Sequence, residues 1–141
     1  FLDVFGATMD EGAAFTDAAG STLAITKALF QDGAGEFKWL SKPGKASRLE
    51  YVNLLAMTLI EPDEIWWAWV KDHGDKGRWR LKRRYLRAFE VEGMDEYGVA
   101  VFEWGKTGWT GSTAFMGTQK TEAAREAYFD KQRAGRLVFS K

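Results

Sequence analysis

Apolar residues recur at helical spacing in one stretch of this chain and alternate at spacing two in the stretches that follow it. Leu49, Val52, Ala56 and Leu59 share one face of a helix. Ser47-Arg48-Leu49-Glu50 opens that helix as a capping box, with serine accepting from an early N–H and glutamate reaching back. Pro62 disfavours helical backbone at Glu61 and stops it. DEIWWAWVK, residues 63–71, then reads as a strand, with Ile65, Trp67 and Trp69 on one face and Glu64, Trp66, Ala68 and Val70 on the other. HGDKG makes a turn, and residues 78–89 return as the antiparallel partner, although Leu81, Tyr85 and Ala88 also fit a helical stripe. Residues 99–104 and 109–116, joined by a glycine-flanked turn, form a second hairpin. Thr121 caps a helix reaching about residue 133, Gly135 stops it, and residues 136–141 add an edge strand.

Before residue 47 the pattern is weaker. Gly6, Gly12, Gly20, Gly33, Gly35, Pro43 and Gly44 punctuate it. Short extended pieces are expected at residues 14–17 and 23–25, a helical turn at 26–30, and a loop over 32–45. The order of helix, four meandering strands and helix predicts an α+β fold whose antiparallel sheet carries its helices on one face. We expect one domain over residues 1–141, irregular to residue 46 and built around the helix and sheet from 47 onward.

Composition narrows the function classes. Aromatic residues make up 15% of the chain, including seven Trp and ten Phe, which demands a packed interior or a stacking surface. There is no cysteine, so disulfides, thiolate zinc sites and cysteine nucleophiles are excluded. No apolar run approaches the roughly 20 residues of a membrane span. The chain opens on Phe1, which suggests a module excised from a larger parent.

Charge changes the picture more. The formal net charge is zero, yet eight of the twenty Lys and Arg residues fall within KDHGDKGRWRLKRRYLR, residues 71–87, opposed only by Asp72 and Asp75. Guanidinium forks grip phosphate oxygens and aromatic faces stack on bases, so a phosphate-bearing ligand suits this run; a solvated strand face suits it too. The first 36 residues hold six acidic residues and one basic, Lys27, so the surface is polarised and can steer an anion.

His73 is the only histidine, set in a turn between Asp72 and Asp75, and neither a zinc pattern nor a calcium loop surrounds it. Neither G-x-S-x-G nor GxxxxGK[ST] occurs, and no metal or cofactor is implied. What remains is a set of polar residues on expected strands. Metal-independent RNA cleavage needs a base for the 2′-hydroxyl, an acid for the leaving 5′-oxygen and cations for the phosphorane. We expect Arg83 and Arg84 to bind phosphate, Tyr85 or Glu64 to transfer protons, and Thr110 and Thr113 to position substrate. Lys82, Arg80, Trp66, Ser112 and Trp109 are expected to contact substrate, Trp109 from the surface because glycines flank it. Each has a plainer reading: Glu64 as a solvated strand start, Tyr85 as core, and the threonines as ordinary strand residues.

The succession EPDEIWWAW, RLKRRYLRAF, FEWGKTGWTGSTAF and YFDKQRAGRLVF resembles the phage-borne barnase–EndoU–colicin–RelE-like nuclease domains found at the C-termini of Mu F-like phage head proteins and polymorphic toxins. The likeness runs from DVFGATMDEGAAFTDAAG to the last strand. It implies N-terminal helices, then a curved antiparallel sheet of about four strands with the active site on its concave face, and a C-terminal helix. It also implies a metal-independent endoribonuclease toxin, with tRNA among the substrates of such domains, that acts in the cytoplasm of a target bacterium. Its parent would lie in the virion or be secreted. Glu64, Trp66, Arg83, Arg84, Tyr85, Trp109, Thr110 and Thr113 occupy the matching positions, and no catalytic histidine is among them. An acidic immunity protein is the expected partner, since masking a basic cleft calls for opposite charge. The rival classes are a phage-head module that binds nucleic acid or protein without cutting, and an ADP-ribosyltransferase-like toxin, which NAD consumption would reveal.

Overall fold

The computed structural model describes residues 2–30, 48–71, 77–91, 93–116 and 121–141. Helix α1 (Arg48–Ile60) ends ahead of Pro62, and the backbone N–H of Asp63 already pairs with the carbonyl of Leu86. Strand β3 (Glu64–Lys71) follows, then β4 (Trp79–Val91), β5 (Met94–Gly105) and β6 (Gly108–Met116), each antiparallel to its predecessor. The expected cap at Ser47, the loop over 32–45 and His73 lie outside the described residues.

The ambiguous stretch after residue 78 is a strand because it is paired on both sides. Its ladder with β3 runs from Glu64↔Leu86 to Lys71↔Trp79, and its ladder with β5 from Lys82↔Glu103 to Val91↔Met94. Two saturated ladders outweigh a helical stripe of three residues.

Three expectations need correction. Among the described residues the sheet has seven strands rather than about four: with β1 (Ala13–Thr16), β2 (Thr22–Ile25) and β7 (Arg136–Ser140), the order is β1-β2-β6-β5-β4-β3-β7. The hairpin of β1 (Ala13–Thr16) and β2 (Thr22–Ile25) joins it through a short parallel contact, Leu23↔Trp109 and Ala24↔Thr110, which makes the sheet mixed. Second, no α-helix precedes α1 among the described residues; Leu2–Phe5 and Lys27–Phe30 are single 3-10 turns.

Third, the two helices lie on opposite faces. Leu55 and Leu59 of α1 pack with Leu23, Ile25, Ile65, Tyr85, Ala100 and Phe102. Phe129 of α2 (Glu122–Lys131) packs with Leu86, Tyr97, Val99 and Val101, the alternate residues of the same strands. Each face therefore has its own core, and α2 covers only part of its face.

α2 begins as the sequence predicts, with Thr121 Oγ1 accepting from the Ala124 N–H at 3.1 Å. Gly135 turns the chain at φ +87° into β7 (Arg136–Ser140), an edge strand on β3. A Cβ there would lie 1.8 Å from the Trp67 carbonyl oxygen. Gly135→Ala is expected to cost about 2 kcal/mol or more. Loss of amide-exchange protection should be confined to β7 and β3.

Candidate active site

Adjacent residues of a strand point to opposite sides, and this divides the expected Arg83-Arg84-Tyr85 trio. Arg83 and Tyr85 face α1 and are buried; Arg84 faces α2. The three share a stretch of chain and not a site.

On the α1 face Arg83 is 1% exposed. Its Nε and Nη2 donate to Asp17 Oδ2 at 3.0 and 2.7 Å, and Nε also donates to the Tyr85 hydroxyl oxygen at 2.8 Å. The Tyr85 hydroxyl donates to the same carboxylate oxygen. Asp17 Oδ1 accepts from the Ala19 and Ser21 N–H groups, which closes the β1–β2 turn. Rings of Trp67, Tyr85 and Trp109 surround the guanidinium at 5.6–5.7 Å. Burial, before all else, pushes the Tyr85 phenol far above its ordinary range. Neither group is exposed to a substrate. Trp109, expected at the surface, is 6% exposed because it packs against Trp67 and Trp104; among the described tryptophans Trp69, Trp79 and Trp104 are the exposed ones.

The α2 face gathers the other residues. Rows across the sheet set Trp66, Arg84, Val101 and Thr113 side by side, and Ala68, Lys82, Glu103 and Thr110 in the next row. Thr110 and Thr113 are three apart yet share this face, because a bulge leaves Ser112 unpaired between Gly111 and Thr113. Glu103 bridges Arg80 and Lys82, at 2.7 Å to each. Glu64 accepts from Trp66 Nε1 at 2.9 Å and, in a two-pronged pair, from Arg133 Nε and Nη2 at 2.9 and 2.7 Å. Those Arg133 bonds hold the Glu64 carboxyl below its ordinary range, against the opposing pull of burial. Arg133 also pairs with Asp130 and lies over the Phe129 ring.

Arg84 stands where the cover of α2 stops. Its Nε and Nη1 are buried and have no hydrogen-bond partner among the described residues. Burial lowers its pKa and the neighbouring Tyr128 phenol partly offsets that, yet a guanidinium stays charged. A charged guanidinium with open donors is poised to take an anion. Among the described residues no three His, Asp or Glu side chains converge as metal ligands.

Over residues 1–140 the chain matches the model of the family described as PBECR2, phage-Barnase-EndoU-ColicinE5/D-RelE like nuclease 2. The chain belongs to this nuclease family. No curated protein and no solved structure matches it. On the α2 face of this PBECR2 nuclease, cations, a carboxylate and hydroxyls lie in neighbouring rows around Arg84.

Sequence reasoning missed Asp17, Tyr128 and Arg133. The last two lie in YFDKQRAGRLVF, a segment already notable for its likeness to the family, but only the packing of α2 against β5 brings them to Glu64 and Arg84.

Proposed function

We propose that this PBECR2 nuclease is a metal-independent endoribonuclease toxin working on the α2 face of its sheet. The observation that carries the reading is the Arg84 guanidinium, whose buried Nε and Nη1 have no acceptor among the described residues. Arg84 binds the scissile phosphate and, with Lys82, stabilises the charge that builds on its oxygens. Glu64 accepts the proton of the 2′-hydroxyl as the 2′-oxygen bonds to phosphorus. The bond from phosphorus to the 5′-oxygen breaks, and Tyr128 gives that oxygen its proton. A 2′,3′-cyclic phosphate and a 5′-hydroxyl result. Thr113 and Thr110 line the neighbouring rows and orient the ribose, while Trp66 flanks Arg84 from the opposite strand. Tyr85 drops out of proton transfer and Arg83 out of phosphate binding, because both are enclosed in the α1-side core.

The test is purified protein incubated with total RNA, once in EDTA and once with added magnesium. Cleavage in both, leaving cyclic phosphate ends, is the expected result; intact RNA in both, or cutting of DNA alone, overturns the reading. We further propose that the domain is the C-terminal module of a larger phage or toxin protein, acts in the cytoplasm of a target bacterium, and is neutralised by an acidic immunity protein.

The acid limb of the rate profile gives a second check. Glu64 is depressed by Arg133, so its base form persists as pH falls through 4.5 and is lost only at the lower, folded value. Activity should therefore hold below pH 4.5, provided the protein stays folded, and Arg133→Gln should move the limb upward. A limb that does not move in that variant removes Glu64 from proton transfer.

A further inference from the structure

We propose that Trp69, Trp79 and Trp104 form a stacking surface for unpaired nucleotides flanking the cleaved bond, an inference that rests on the RNA reading above. The three indoles are 64%, 62% and 54% exposed, and all lie on the α1 face beyond the reach of that helix. Trp69 pairs across to Leu81, Trp79 to Lys71, and Trp104 to Trp109. Trp69 and Trp104 thus stand two strands apart, roughly 10 Å, with Trp79 diagonal to Trp69. That spacing separates the rings enough to leave each a free face, which stacking on successive bases requires.

The chemistry around the rings favours nucleic acid over a protein partner. Lys71, Arg78 and Lys106 are exposed at the same end of the sheet. Lysine is depleted from protein interfaces, whereas cations interleaved with aromatic rings are the ordinary composition of single-strand binding surfaces. The surface also connects to the candidate site. β4 places Arg80, Lys82 and Arg84 on one face and Trp79 and Leu81 on the other. A strand held at Arg84 that follows Lys82 and Arg80 reaches the tip after about 13 Å, and there rounds the hairpin onto the indoles. The route needs flexible, unpaired nucleotides, so the substrate class is RNA with a single-stranded segment beside the cut.

The test uses fluorescent, 2′-O-methylated oligonucleotides, which cannot be cut by 2′-hydroxyl attack, of about 4 and about 16 nucleotides. Combined Trp69→Ala, Trp79→Ala and Trp104→Ala exchange should weaken the long probe about 30-fold or more and the short one less than about threefold. Lys71→Glu with Lys106→Glu, which disturbs no packed ring, should give the same selectivity at about tenfold. A folded tryptophan or lysine variant that holds the long probe as tightly as wild type overturns the proposal. So does a wild-type dimer that the tryptophan exchange converts to monomers without changing probe affinity. Selective loss of the long probe in a protein that never cuts RNA would uphold the surface while ending the ribonuclease reading.

Discussion

Arg84→Ala is expected to lower RNA cleavage by roughly 10³-fold while leaving the fold intact, or slightly more stable. The two halves of this result have one cause. Arg84 is a cation partly withdrawn from water, and two of its buried nitrogens find no acceptor among the described residues. Desolvating a charge without repayment costs stability, so deleting it returns that cost. The same open donors are what a phosphorane would meet, so deleting them removes transition-state binding. Arg84→Lys should recover little, because one ammonium on a flexible stem cannot present the several fixed, planar donors of a guanidinium to the phosphate oxygens. Single-turnover cleavage of a labelled RNA, alongside thermal unfolding of each variant, checks both halves. A stably folded Arg84→Ala protein within about threefold of wild-type rate would move the site elsewhere on the sheet.

The contrast between Arg84 and its neighbours also shows what the chain made legible. Alternation in residues 64–71 gave both faces of β3 correctly, because each side chain there has one partner face and a period of two needs no further information. Applied to Arg83-Arg84-Tyr85 the same rule separates them, yet their charge density invited grouping; proximity in sequence is separation in space on a strand. Trp109 was misjudged for a different reason. Flanking glycines suggest an exposed turn, but the sheet carries its ring inward against Trp67 and the Arg83 guanidinium. The link from β2 to β6 left no trace, since two paired residues in parallel carry no periodicity. Tyr128 and Arg133 became part of the site only through the placement of α2, a long-range packing outcome set by Phe129 on Tyr97, Val99 and Val101.

Arg83→Met is expected to destabilise the protein by about 3–5 kcal/mol, a large share of what a domain of this size has. The loss would come from Asp17, whose side chain is fully buried and would be left without its cation. Asp17→Asn should cost a comparable amount by leaving the guanidinium enclosed by three rings, whose attraction offsets only part of the missing carboxylate. The double variant should be less damaged than the sum of the two, because removing both charges leaves neither stranded. Urea unfolding of the four proteins gives that coupling directly; strict additivity would mean the pair does not act as a unit. Tyr85 adds a pH signature. Its folded value lies above the unfolded value near 10, so its contribution is complete below pH 10 and is lost as pH rises above it. Tyr85→Phe should give up the hydroxyl's bond to Asp17 at neutral pH but remove this alkaline loss. Unfolding curves of wild type and variant should therefore converge above pH 10. Such convergence would mark Asp17, Arg83 and Tyr85 as the joint between the β1–β2 hairpin and the sheet, a role in stability rather than in chemistry.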